Sequence, residues 1–162
     1  MKTNLFKKSE KEYGNGYKNH YIEQYKIYLE SIEKISDRRQ SANKFFLTIN
    51  TVLISIIGLS FQNDFLKDIL FFKLFIVFAG ILFCIIFWFL IRAYKQLNTG
   101  KFKVLHKIES KLPLAIYEYE WEILGEGKNK KLYYPFSHIE LLIPWLFGVI
   151  YFVLLIIFIC KW

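Results

Sequence analysis

Three stretches of this 162-residue chain contain no Asp, Glu, Lys or Arg: 45–61, 74–91 and 141–160. Soluble core helices rarely run so long without a charge, and apolar runs of about 18 residues read as bilayer spans. Other shortages narrow the choice further. Two cysteines, Cys84 and Cys160, both fall inside these windows, so buried hydrophobes are expected, with no disulfide or metal site. The three histidines, His20, His106 and His138, show no metal-ligand spacing. H-E-x-x-H, G-x-S-x-G, the P-loop pattern and G-x-G-x-x-G are all missing, and the GNG and GEG triplets are too short to hold a phosphate. No His follows Arg38-Arg39 closely enough for a nuclease-type R-x-H. The expectation is a protein without enzymatic activity, catalytic residues, metal or cofactor.

What the sequence has in quantity is aromatic and aliphatic residues, 54% hydrophobic with 17 Phe, and an excess of 22 Lys+Arg over 14 Asp+Glu. The predicted fold class is an all-α integral membrane protein. It has three transmembrane helices, a small helical cytoplasmic layer and a long N-terminal helix leading into the first span. Residues 1–16 read as a flexible N-terminus, 17–44 as a cytoplasmic amphipathic helix, and 45–61, 74–91 and 141–160 as the spans. Residues 62–73 form a short external turn, and 92–140 a cytoplasmic helical hairpin and loop. Lys73 before the second span can snorkel to the interface, and Lys161-Trp162 anchor the third.

Basic residues set the orientation. Ten Lys/Arg lie in 1–44 and nine in 92–140, nineteen together, against Lys67, Lys73 and Lys161 on the other side. The N-terminus is therefore expected in the cytoplasm and the C-terminus outside. With the first apolar window starting at Phe45, no cleavable leader is expected. The same basic residues account for the net charge of +8. They set topology and touch anionic lipids, so no specific nucleic-acid partner is expected.

Tyr21, Tyr25, Tyr28, Ile32 and Ile35 recur at 4-3-4-3 spacing, flanked by Ile22 and Leu29. That stripe needs a partner surface, either the chain's own cytoplasmic layer or a neighbouring subunit. Neither Pro nor Gly interrupts Tyr17–Ile57, which predicts one helix running into the first span. Beyond the second span, Asn98-Thr-Gly100 predicts a helix break and Lys101–Leu112 a second helix. Pro113 is expected in the first turn of a third helix, closed by Gly125 and Gly127. Residues 125–140 are expected as a loop returning to the membrane, with His138 and Glu140 as a proton relay or a structural pair.

The most informative pattern lies on the first span. Ser41, Lys44, Thr48, Thr51, Ser55 and Gly58 are spaced 3-4-3-4-3, hence on one helical face, with Asn43 and Asn50 close to it. Such a stripe either lets helices approach and hydrogen-bond or lines water. Three spans cannot enclose a pathway alone, so a wet stripe requires several copies around an axis. Lys44, Thr48, Thr51, Ser55 and Gly58 are the candidate pore or inter-subunit face. Arg38 and Arg39 are the candidate charges at its cytoplasmic entrance.

D-R-R-Q-S-A-N entering the first span, N-x-x-K-F-x-x-x-H-x-I-E-x-x-L-P after the second, and Y-x-P-F-S-H-I-E entering the third carry a resemblance. Over most of the chain beyond its first ~16 residues, single-domain length, it resembles the RipA-type octameric membrane proteins of bacteria. The resemblance implies a homo-oligomeric ring of eight in the cytoplasmic (inner) membrane. It implies likeness to a membrane accessory of type VI-B CRISPR immunity that permeabilises the membrane, hence a role in stress or phage defence. The matching positions His106, Glu109, Trp121, Pro135, Phe136, His138 and Glu140 become candidates for a structural motif. The competing expectation is a non-conducting scaffold or regulatory subunit. It would dock an unidentified cytosolic protein on the acidic stretch Glu118–Glu122.

Overall fold

The computed structural model describes residues 4–62, 69–129 and 131–160, without the side chains of Ser137 and His138. Every regular element among them is helical: α1 (Glu10–Tyr13), α2 (Tyr17–Ser60), α3 (Leu70–Glu109), α4 (Ile116–Ile123), a single 3-10 turn (Gly125–Gly127), α5 (Phe136–Glu140) and α6 (Leu142–Cys160). Three of these, α2, α3 and α6, are long and apolar enough to cross a membrane. At 1.5 Å per residue α2 and α3 measure about 66 and 60 Å, roughly twice the hydrocarbon thickness. Both therefore project well beyond the bilayer, and the projecting halves make the charged layer. Of the expected external turn 62–73, residues 63–68 with Lys67 lie outside the described residues, as does the Lys161-Trp162 anchor, while Leu70–Lys73 already belong to α3.

α2 and α3 run antiparallel along their whole length, and the tyrosine stripe is the outer part of their seam. Tyr21 donates its hydroxyl to the Ile108 carbonyl, Tyr25 to Glu109 Oε1 at 3.0 Å, and Tyr28 to the Lys101 carbonyl at 3.3 Å. Ile32 and Leu105 are buried alongside. Of the two partners the spacing allowed, this surface is the chain's own α3. Deeper, Phe46 stacks on Phe87 with ring centroids 4.5 Å apart, a contact worth about 0.5–1.5 kcal/mol beyond area burial. Deeper still, Ile57 packs with Ile76 and Val77.

Lipid tails are as apolar as leucine, so helices in the bilayer associate through close packing and hydrogen bonds. Gly80 provides the closest approach. A Cβ there would lie 2.2 Å from Tyr151 Cζ, so the fully buried Tyr151 ring of α6 lies directly on the α3 backbone. Its hydroxyl donates to the Asn50 carbonyl at 3.4 Å, joining all three spans at one level.

Several local expectations are corrected. Asn98-Thr-Gly100 does not break the helix; α3 continues to Glu109. An interior Gly costs about 1 kcal/mol relative to Ala, and tertiary contacts outweigh that. Next to Gly100, Lys101 donates to Ser31 Oγ at 2.6 Å and its ammonium lies over the Tyr28 ring. Pro113 falls in the connection, three residues ahead of α4. The returning segment contains the short helix α5. Described residues 4–16 contain α1, and Phe6 stacks against Tyr21 of α2. Lys73 is buried under the Phe61 and Phe158 rings. Of the two cysteines Cys84 is buried, while Cys160 is exposed at the end of α6.

Candidate functional site

Ser41, Lys44, Thr48, Thr51, Ser55 and Gly58 are all exposed. The stripe predicted from spacing is thus one uncovered edge of α2. Two of its hydroxyls are satisfied by their own helix. Thr51 Oγ1 donates to the Leu47 carbonyl at 2.9 Å and Ser55 Oγ to the Thr51 carbonyl at 2.8 Å. Each hydroxyl keeps acceptor capacity after donating. A Cβ at Gly58 would meet nothing within 4 Å, so the edge leaves room for a neighbour.

Asn43 and Asn50 do not share this edge. At 100° per residue, Asn50 is turned well away from both Thr48 and Thr51, and it is 1% exposed. Its amide donates to the Phe46 carbonyl at 2.8 Å, and its Oδ1 accepts from the Cys84 thiol at 3.6 Å. It is a satisfied polar group in the subunit's own core, as a membrane interior requires.

The entrance charges separate as well. Lys44 and Arg38 are exposed, whereas Arg39 turns toward the start of α6. There Arg39 Nε lies 3.5 Å from Glu140 Oε1, which also accepts from Asn43 Nδ2 at 2.7 Å. Glu140 thereby fastens α5 to α2, and the Arg39 charge is compensated within the subunit. Any relay with His138 falls outside the described side chains.

Motif candidates in the charged layer act as struts. Glu109, 1% exposed, accepts from the Tyr117 and Glu118 amides at 3.2 and 3.1 Å and from the Tyr25 hydroxyl. These amides are orphan donors of the first turn of α4, whose cap position holds Ala115, so a carboxylate from α3 supplies the cap. Burial, and behind it the Glu109 carboxylate, pushes the Tyr25 phenol up to about 12. His106 and Trp121 line an open cleft of ≈ 510 Å³ between α3 and α4 with Asn98, Phe102, Tyr117 and Tyr133. Gly127 turns the chain at φ +68°, where a Cβ would lie 3.1 Å from Trp121 and 3.9 Å from Pro135. Phe136 is exposed.

Sequence reasoning missed Gly80 and Tyr151, whose pairing depends on the register of α3 against α6. It also missed Glu109 as a cap, although a carboxylate one turn before a Pro-containing connection was a usable signal.

No curated protein and no solved structure matches the chain. A family model described as the octameric membrane protein family (8xMP) matches residues 22–160, from the second turn of α2 to the end of α6. The match includes the exposed edge of α2 and every strut described above, and with it the expectation of a homo-oligomeric membrane protein is met: the chain belongs to the octameric membrane protein family.

Proposed function

We propose that copies of this chain form a ring, eight in number, in the bacterial cytoplasmic membrane, with α2 innermost and its Lys44–Thr48–Thr51–Ser55–Gly58 edge toward the axis. The observation that carries this reading is the division of polar groups on α2. Asn50 is enclosed by the subunit, while the hydroxyl and glycine edge is left uncovered. The other uncovered membrane surfaces offer Phe71, Phe75 and Phe78 on α3 and Leu146, Val149 and Phe152 on α6, which suit acyl chains. A small hydroxyl-bearing edge suits close contact between helices or a wet path. Lys44 and Arg38 would ring the cytoplasmic mouth and favour anions. The N-terminus is cytoplasmic and the C-terminus external in this reading. The ring acts without catalysis as a pore-like, membrane-permeabilising accessory, and the RipA-type likeness suggests use in stress or phage defence. Thr51→Leu should abolish conductance in reconstituted bilayers while the oligomer persists. Wild-type bilayers without current, or unchanged current in the variant, would reject the pore.

A second reading is supported by α4. Ile116, Tyr119 and Ile123 are each more than half exposed there, beside exposed Glu118 and Glu122. In this reading the ring is a scaffold whose acidic helix docks a basic cytosolic protein. Reversing the charges of Glu118 and Glu122 should release that protein in a pull-down, and in this non-conducting reading wild-type bilayers should carry no current.

A further inference from the structure

Two clefts meet at Trp88, one between α3 and α6 and one along α3 closed on its other side by Leu141, just ahead of α6. The first, ≈ 300 Å³, has Ile81, Ile85 and Phe89 on one side and Pro144, Trp145 and Gly148 on the other. The second, ≈ 590 Å³, shares Trp88 and is lined by Arg92, Lys95 and Lys103 with Gln96 and Thr99. Among the described residues no carboxylate lines either cleft. The Arg92 guanidinium stacks over Trp88, 4.6 Å from the ring centroid, where the two clefts join.

Their order along the helix gives the site its meaning. The uncharged part of α3 ends at Ile91, which puts Trp88 in its last turn, the depth favoured by interfacial aromatics. Ile81 lies ten residues in from Ile91, about 15 Å, or half of a ~30 Å hydrocarbon layer. An apolar cleft one leaflet deep therefore passes an interfacial tryptophan and opens into a cleft lined by three cations. That is the polarity profile of one anionic phospholipid. A free anion would make no use of the apolar half, and a zwitterionic headgroup would bring its own cation among three others.

We propose that the α3–α6 face binds an anionic phospholipid, with an acyl chain between Ile85 and Gly148 and its phosphate at Arg92 and Lys95. Lys103, about 12 Å beyond Lys95 along the helix, extends the site toward larger acidic headgroups. Gly148 keeps the apolar cleft open, because a Cβ there would meet nothing within 4 Å. A larger residue would fill the cleft without disturbing the subunit. The site deepens the anionic-lipid contact expected from the chain's charge, and its assignment to the cytoplasmic leaflet rests on the proposed orientation.

The test uses the intact oligomer in zwitterionic nanodiscs, carrying Trp121→Phe and Trp162→Phe so that Trp88 and Trp145 report. Phosphatidylglycerol brominated on its acyl chains should quench them at about 25-fold lower mole fraction than brominated phosphatidylcholine, roughly fivefold for each of the two cations Arg92 and Lys95. Arg92→Gln with Lys95→Gln should erase that preference. Gly148→Leu should weaken quenching by the anionic lipid. Three results would overturn the proposal. The two lipids could quench alike in the parent protein, or Gly148→Leu could leave selective quenching intact, as for a headgroup on a bare surface. Alternatively neither lipid would quench, as when a neighbouring copy covers the cleft. The readout is blind to sidedness and to conductance, so its failure is separable from failure of the pore reading.

Discussion

Within the membrane α2 has two polar edges, and they differ in how completely the subunit satisfies them. The inner edge holds Asn50 against Cys84 and under the Tyr151 hydroxyl, with nearly every polar atom engaged. The outer edge holds Thr48, Thr51, Ser55 and Gly58 uncovered. A polar group in hydrocarbon must be satisfied internally, and Thr51 and Ser55 meet that rule by bonding back to their own helix. Polarity alone therefore does not distinguish a core edge from an assembly edge. What distinguishes them is whether other helices of the same subunit cover the edge, as they cover Asn50 and leave Thr51 and Ser55 exposed.

The glycines provide the strongest way to break this comparison. Gly80→Leu would force a side chain into the Tyr151 ring, so overpacking of about 1–3 kcal/mol or more is expected, with loss of the folded protein in a thermal melt. Gly58→Leu, facing open space, should leave that melt unchanged and instead narrow the path in single-channel recordings. Equal melting loss at both positions would erase the distinction between the edges.

The charged layer offers a smaller effect. Glu109→Gln removes the charge that caps α4 and accepts from Tyr25. Loss of about 1–3 kcal/mol of local stability is expected, visible as faster hydrogen exchange at the Tyr117 and Glu118 amides and absent from Asn50. The smallest effect is set by pH. The Tyr25 phenol is raised in the folded protein from 10.0 to about 12, so folding favours its protonated form. Its contribution is complete below pH 10 and declines as pH rises through about 12. α4 exchange should be flat from neutral pH to about pH 10 once corrected for intrinsic rates, then rise toward about 12; Tyr25→Phe should remove the alkaline step.

Much of the membrane architecture was legible because charges cannot be left in hydrocarbon: the gaps in the charge pattern mark all three spans. The long α2 followed from the unbroken run Tyr17–Ile57, and its outer edge from 3-4 spacing. Legibility failed where distant contacts decide. The local breaker at Gly100 was overridden by the Lys101–Ser31–Tyr28 contacts of another helix. Arg39 looked like a neighbour of Arg38 in function as well as in sequence, until Glu140, a hundred residues away, claimed it. Asn50 was misplaced for a simpler reason: it stands between Thr48 and Thr51 in sequence, and a 100° turn per residue carries it to another side of the helix.

The central claim is that the outer edge of α2 faces sister copies or the axis rather than acyl chains. A nitroxide spin label at Thr51, compared with one at Phe78 on α3 in the same reconstituted oligomer, tests it directly through collision with oxygen and with a water-soluble nickel chelate. The label at Phe78 should be relaxed mainly by oxygen, which concentrates in lipid, whereas the label at Thr51 should be relaxed by nickel or shielded from both. Oxygen-dominated relaxation at Thr51, matching that at Phe78, would contradict the account.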